Sequence, residues 1–375
     1  MKTKSFLASL QNAALFADSK SLNGVWSGMA FHGNSLITSD GFCAANLVLE
    51  EDSGINGVVE VAPFLKILNS VSTEDLEISQ TSEDALSLKA GSFKAEFPIR
   101  AFDKYPAIDK SFSVDFEEST EVSNFFDAIP YCLWPEIVKS QGLLGSLVCR
   151  QKDDQAVLYT CDGKRIVYTS MNQKLPSEQF LVPASIFSSS LLSFLSKHAQ
   201  ALKIVENEQK QSLAVKLDIG EVLIPTSLDN FNSYPTDTVE AHLSDLRGKR
   251  SEICSLSVSD ELVEAIKRFS NLEKLDDFRT SGFSLSFQDG KVVFMLKNTI
   301  IGEVCDSLDY EKSEELTEME GLILRAPADQ LFSFIKNAKE IRFNKNKPDK
   351  IYFVGKDNEK DIGIEMLVAC IVKGD

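Results

Sequence analysis

One order of elements runs three times along the chain, and a repeat of this length constrains the architecture before any motif is read. The first copy opens on an amphipathic helix within residues 1–18, where Phe6, Leu10, Ala13, Ala14 and Ala17 recur at helical spacing. An extended segment (22–31), a polar turn (32–34) and a strand (36–38) follow, the strand running into Ser39, Asp40 and Gly41. A strand (44–50) and a short helix (61–68, with Pro63 early) come next, and strands alternate to Phe97 and Ile99. The second copy repeats the order: helix 122–129, strand 143–149, turn 152–155, strand 157–159 into Cys161, Asp162 and Gly163, strand 166–170 and helix 183–198. Its later strands include 213–217, read as alternating inward and outward residues. Asp40 to Val61 and Asp162 to Pro183 are both 21 positions apart, a coincidence of turn and helix that chance rarely supplies. The third copy is fainter: helix 260–269, strand 282–287, turn 288–290, strand 291–296, Asn298 in place of the turn Asp, helix 326–338 and a last strand at 367–372.

Three units of roughly 125 residues fit a chain of 375, with joints expected near 113–120 and 243–251. The expected domains are 1–115, 116–246 and 247–375. Each is α+β, with two helices packed on two antiparallel sheets of about eight strands in all. Joined end to end, three such units make an arc, and two arcs related by a two-fold close into a ring with twelve helices around a hole. Helices lining a hole present Lys and Arg to phosphate without reading bases. The candidates on or beside helices are Lys2, Lys4, Lys20, Lys66, Lys139, Lys197, Lys267, Arg268, Lys336 and Lys339. Taken singly, any of them also reads as part of an ordinary solvated helix face.

A net charge of −17 argues against a protein that coats nucleic acid with most of its surface, and allows one that touches DNA only where cations gather. The seven cysteines form no CxxC pair and lie in apolar runs, as reduced, mostly buried residues of a cytosolic protein do. Gln11 and Asn12 interrupt the first apolar stretch, so a helix is expected there and not a cleaved signal. No run approaches the roughly 20 apolar residues of a membrane span. His32, His198 and His242 fall in a turn, a helix end and a joint, without partners for a nucleophilic triad. Phosphate loops of the GxxxxGK[ST] and GxGxxG kinds are absent. Asp40 and Asp162 carry turn chemistry beside their glycines. Neither enzymatic activity, nor a cofactor, nor a metal is expected.

The stretch from Thr160 to Ile166 (TCDGKRI) resembles the second domain of the beta subunit of bacterial DNA polymerase III, where a Thr-Asp-Gly-His-Arg-Leu pattern stands. Residues 86–93 (LSLKAGSF) with Tyr105 and Pro106, 223–231 (LIPTSLDNF) with Tyr234 and Pro235, and the closing 368–372 (VACIV) agree with that family in order and spacing. The chain departs from it in Lys164 for His, Cys161 for Thr, and in lacking a Met-Pro-Met ending, a divergence that suits a phage or plasmid copy. The resemblance implies a ring-forming DNA clamp fold and a homodimeric processivity factor in the cytoplasm, at the replication fork. Its implied partners are double-stranded DNA, a DNA polymerase and a clamp loader, with no membrane. It implies a hydrophobic cleft for short extended peptides, lined by Leu144, Cys161, Gly163, Lys164, Arg165, Ile166, Pro235, Val239, Val368, Cys370 and Val372. Leu144, Ile166 and Val368 also read as plain core. Ring closure is implied where Lys94, Phe97 and Arg100 meet Phe269 and Leu272 of a second copy, with Phe269 also readable as core. Two functions stay open: a clamp that encircles DNA, and a protein of the same fold that binds replication proteins without encircling it.

Overall fold

Helix Thr3–Ala14 forms because Phe6, Leu10 and Ala13 fall on one buried stripe while Lys4, Ala8 and Gln11 face outward. It packs against helix Val61–Ser70, which buries Val61, Phe64 and Leu68. The rings of Phe6, Phe31, Phe64 and Phe97 meet between these helices and the strands, Phe64 and Phe97 edge-on at 5.2 Å. The computed structural model describes all residues except 19–23, 25, 107–113, 141, 208–209, 228–232, 248–252, 276–281, 299, 311–316, 318, 345–348, 357, 370 and 373–375.

The chain divides into two units of interleaved segments. The first comprises Met1–Pro130, Val148–Ala156 and Gln173–Phe231; the second comprises Tyr131–Leu147, Val157–Asn172 and Asn232–Asp375. The stretch read as the second repeat is thus shared between them. In the first unit one antiparallel sheet runs Asn56–Glu60, Gly28–His32, Ser35–Ser39, Ala44–Val48, Gly220–Thr226, Lys210–Leu217, Ala199–Asn207 and Thr120–Glu121. Strands from the first repeat pair there with strands from the second, Ala44 opposite Leu223. A separate meander, Glu77–Gln80, Ala85–Ala90 and Phe93–Pro98, leaves Phe93–Pro98 at its edge.

The second unit has the same kind of junction. Arg165–Met171 from the second repeat pairs with Gly363–Ala369 from the third, which continues through Lys350–Gly355 and Ala338–Asn344 to Ile253–Ser257. A second sheet runs Gly302–Asp309, Lys291–Asn298, Gly282–Gln288, Ile323–Arg325 and Ile371–Val372. Helices Asp260–Glu273 and Ala328–Ile335 pack together, the first started by Ser259, whose hydroxyl accepts from the Leu262 N–H at 3.2 Å.

Several expectations shift. The helix expected at 122–129 is Phe125–Cys132. Ahead of it the buried Gln173 accepts from Ser123 N–H (2.9 Å), Ser123 hydroxyl (2.9 Å) and Asn124 N–H (3.1 Å) and donates to the Glu121 carbonyl (2.7 Å). Gln173→Ala strands these groups and is expected to cost about 2–3 kcal/mol, read as a lower denaturant midpoint for the first unit. The helix expected at 183–198 begins at Ser189, because the Ser188 side chain caps it. The joint expected at 243–251 is helical in its first part: helix Thr236–Arg247 carries His242 and buries Val239 and Leu243, a spacing of four that sequence reading passed over. The other joint is a strap, with Val114 and Phe116 lying on Ala44, Ala214 and Leu223. That cover explains why Leu213, Ala214 and Val215 are all buried where alternation was expected. The last strand is two strands of different sheets.

Candidate functional site

The stretch that carries the family resemblance is a hairpin turn of the second unit. Gln155–Cys161 and Arg165–Met171 are joined through Asp162, whose Oδ1 accepts the N–H groups of Lys164 (3.0 Å) and Arg165 (2.8 Å). Gly163 sits at φ 84°, a conformation that a side chain disfavours. The first repeat builds the same turn: Asp40 Oδ1 accepts from Phe42 (2.8 Å) and Cys43 (2.7 Å), with Gly41 at φ 89°. Tyrosines of the two Tyr-Pro pairs lie at these turns. The Tyr105 hydroxyl accepts from Ser39 N–H at 3.0 Å and donates to the Gly28 carbonyl. The Tyr234 phenol is held far above its ordinary pKa by burial, near Cys161, Tyr159 and Cys132.

Arg165 has a place that no sequence pattern revealed. Its side chain is buried, the residue being 5% exposed, and Nε and Nη2 donate to Asp162 Oδ2 at 2.8 and 2.6 Å. Nη2 also lies 3.4 Å from Glu136 Oε2, and the guanidinium stands 5.1 Å from the Trp134 ring centroid. Trp134 in turn meets Phe334 edge-on at 6.2 Å. Trp134 and Glu136 were missed because they approach Arg165 only in the folded chain. The guanidinium is therefore consumed inside the protein as a clasp.

The residues expected to line the cleft separate into buried and exposed ones. Cys161, Arg165, Ile166, Val239 and Val368 are buried, in keeping with the core reading already open for Ile166 and Val368. Leu144 is 40% exposed, and Gly163, Lys164 and Pro235 are exposed as well. The Lys164 carbonyl accepts from Ala369 N–H at 2.8 Å, fixing the turn to strand Gly363–Ala369. Val372 lies in a strand opposite Leu324, and Cys370 falls outside the described residues. Burial raises the Cys161 thiol and pushes Cys132 up to about 12, so both stay protonated and unreactive at neutral pH.

The candidate DNA-facing cations also separate. Lys2 is bound by Glu74 (3.0 Å) and Asp75 (2.9 Å), Lys267 by Glu264 (2.9 Å), and Arg268 by Asp306. Each of these cations therefore has an acidic neighbour that competes with phosphate for it. Lys4, Lys66, Lys139, Lys197 and Lys336 are exposed, with no ion-pair partner among the described residues. Lys339 is exposed and has a partner, and Lys20 lies outside the described residues.

Of the expected ring-closing residues, Lys94 is exposed on the edge strand Phe93–Pro98 and Leu272 is half-buried. Phe97 is buried against Phe64, and Arg100 is paired with Glu60 at 2.8 Å. Phe269 is 1% exposed and packs on Phe283 (5.3 Å) and Phe294 (5.9 Å), so it belongs to the core of the second unit. Among the described residues the exposed large apolar side chains are others: Phe42, Val48 and Phe93 in the first unit, and Leu144, Leu275, Ile300 and Ile301 in the second, the last two just ahead of the edge strand Gly302–Asp309.

No protein-family model matches the sequence, and no curated protein matches it. Solved structures do. The DNA polymerase III beta chain of Streptococcus pneumoniae TIGR4 is similar over 99% of this chain and 98% of its own, at 13% identity and a TM-score of 0.75. The beta subunit from the DNA polymerase of Streptococcus pyogenes matches over the same shares, at 13% identity and TM-score 0.77. A sliding clamp (DNA polymerase III subunit beta) from Pseudomonas aeruginosa, solved bound to griselimycin, matches over 99% and 98%, at 16% identity and TM-score 0.72. The chain has the fold of these beta sliding clamps along its whole length.

Proposed function

We propose that this chain is a DNA sliding clamp: a non-enzymatic ring of two copies that encircles duplex DNA and tethers a replicative polymerase and other partners through the Leu144–Lys164–Pro235 rim. The observation that carries this reading is the likeness to beta clamps over nearly all of both chains. Residues 1–115, 116–246 and 247–375 are the three clamp domains of the reading. Two uncovered sheet edges with apolar neighbours, Phe93–Pro98 and Gly302–Asp309, support head-to-tail closure. The partners proposed are double-stranded DNA, the polymerase and a clamp loader, at the replication fork in the cytoplasm.

Light scattering after size exclusion is expected to give a mass near twice 41.5 kDa. The protein is expected to stay on nicked circular DNA after loading and to run off when the circle is cut. A mass of 41.5 kDa at every concentration, with no topology-dependent retention, favours the second reading: a clamp-fold protein that binds replication proteins without encircling DNA. The net charge of −17 and the neutralised Lys267 and Arg268 speak for that alternative.

Because a clamp of this fold binds griselimycin, the chain is expected to bind it too, measured by calorimetry. Leu144→Asp sets a charge on the apolar rim and is expected to weaken binding by at least about tenfold. Unchanged affinity in that variant removes Leu144 from the site.

A further inference from the structure

In a chain with 56 acidic residues out of 375, three helices of the first unit contain no Asp or Glu: Thr3–Ala14, Val61–Ser70 and Ser189–His198, of 12, 10 and 10 residues. Each carries one exposed lysine, at Lys4, Lys66 and Lys197, with no ion-pair partner among the described residues. In the first helix Lys4, Ala8 and Gln11 share the outward face, and in the second Lys66, Asn69 and Ser70 do. Gln11 Nε2 donates to Asn69 Oδ1 at 3.4 Å, which joins the two faces into one surface. On the third helix Ser189, Ser190, Ser193, Ser196 and Lys197 are exposed. Carboxylates do flank these helices from other elements: Glu50 accepts from Ser5 (2.6 Å), Asp127 from Ser196 (2.5 Å), and Glu74 and Asp75 hold Lys2.

The helices of the second unit are built differently. On Asp260–Glu273 the exposed face holds Asp260, Glu261 and Glu264 as well as Lys267 and Arg268, and both cations are spent on Glu264 and Asp306. Helix Ala328–Ile335 exposes Asp329.

We infer that the grip on DNA is unequal along the chain: the acid-free helices of the first unit carry the main contact with the phosphate backbone of duplex DNA, through Lys4, Lys66 and Lys197 among hydroxyl and amide groups, and the acid-bearing helices of the second unit contribute less. The inference rests on the clamp reading. Freedom from carboxylates matters because each acid beside a phosphate cancels a cation and adds repulsion, whereas Ser, Asn and Gln donate hydrogen bonds at no charge cost. An acidic exterior also turns duplex away from the rest of the surface.

A ring threads onto a short linear duplex from its ends, so the test needs no loading machinery. The full chain is titrated with a short fluorescein-labelled duplex by anisotropy at a series of low salt concentrations. K4E/K66E/K197E is compared with K139E/K267E/K336E, which changes the net charge equally. The first variant is expected to lose about tenfold or more in affinity and to flatten the slope of log K against log salt by about 0.9 per contact removed. The second is expected to lose clearly less, because Lys267 is paired with Glu264 and because Lys139 and Lys336 stand on or beside helices that carry Glu136 and Asp329. Equal losses, or a larger loss from the second set, overturn the unequal grip and leave the clamp reading standing. A native chain that shows no salt-dependent association with the duplex and no retention on nicked circular DNA after loading removes the clamp reading, and the inference with it.

Discussion

Arg165→Ala is expected to destabilise the second unit by about 3–5 kcal/mol, the cost typical of removing one partner from a buried ion pair. Three losses combine. Asp162, which shapes the turn through its other oxygen, is left with a charge on Oδ2 and no donor at 2.6–2.8 Å. Trp134 loses the cation on its face, and Glu136 loses its contact at 3.4 Å. Urea or guanidinium unfolding of the full chain is the measurement, with the second unit followed separately, since a chain of two units need not unfold in one step. Asp162→Ala with Arg165→Ala is expected to cost less than the sum of the single changes, because the second substitution removes the charge that the first stranded. A cost for Arg165→Ala below about 1 kcal/mol contradicts the clasp, since that is what an exposed pair gives.

Ending the chain at Glu365 is expected to have the largest effect of all: loss of the folded second unit. The residues removed include Met366, Leu367 and Val368, all buried, at the centre of a sheet. They pair on one side with Val167, Ile166 and Arg165 and on the other with Phe353, Tyr352 and Ile351. Without them two strands lose their ladder partner and the core loses three apolar side chains, each worth about 1.5–3 kcal/mol in burial alone. From the repeat alone, the natural expectation is that such a truncation spares the first two repeats and removes only the closing strand. The pairing denies that, because residues 157–172 of the second repeat belong to the unit that this strand completes. Hydrogen exchange by mass spectrometry is expected to show protection lost over 157–172 and 338–365 and kept over 28–60 and 199–226. Retained protection at 157–172 means that the junction strand is dispensable. The truncation is therefore a test of the sheet junction, and Leu144→Asp is the cleaner test of the rim.

The repeat itself was open to sequence reading because its signals are local. Asp-Gly turns, helical stripes such as Phe6, Leu10 and Ala13, and the equal turn-to-helix spacing depend on neighbours a few residues apart, where side-chain period and backbone freedom act. Those features sufficed for the α+β class, the paired helices and the resemblance carried by 160–166. Helix Thr236–Arg247 was equally legible in Val239 and Leu243, and was passed over because a glycine and a run of charges beside it read as a joint.

What the tertiary structure decided are the relations between residues far apart in the chain, which no local period encodes. Strand Arg165–Met171 meets Gly363–Ala369 some two hundred residues away, so the sheets cross the expected repeat boundaries and the compact units do not coincide with the repeats. Val114 and Phe116 pack against the cluster of Ala44, Ala214 and Leu223, which makes a two-sided strand of one that reads as half-exposed. Trp134 and Glu136 take up the charge of Arg165, and Asp306 that of Arg268. A sequence states which charges exist; only the fold states which of them are already spent, because Coulomb attraction and burial act on distances through space and not along the chain.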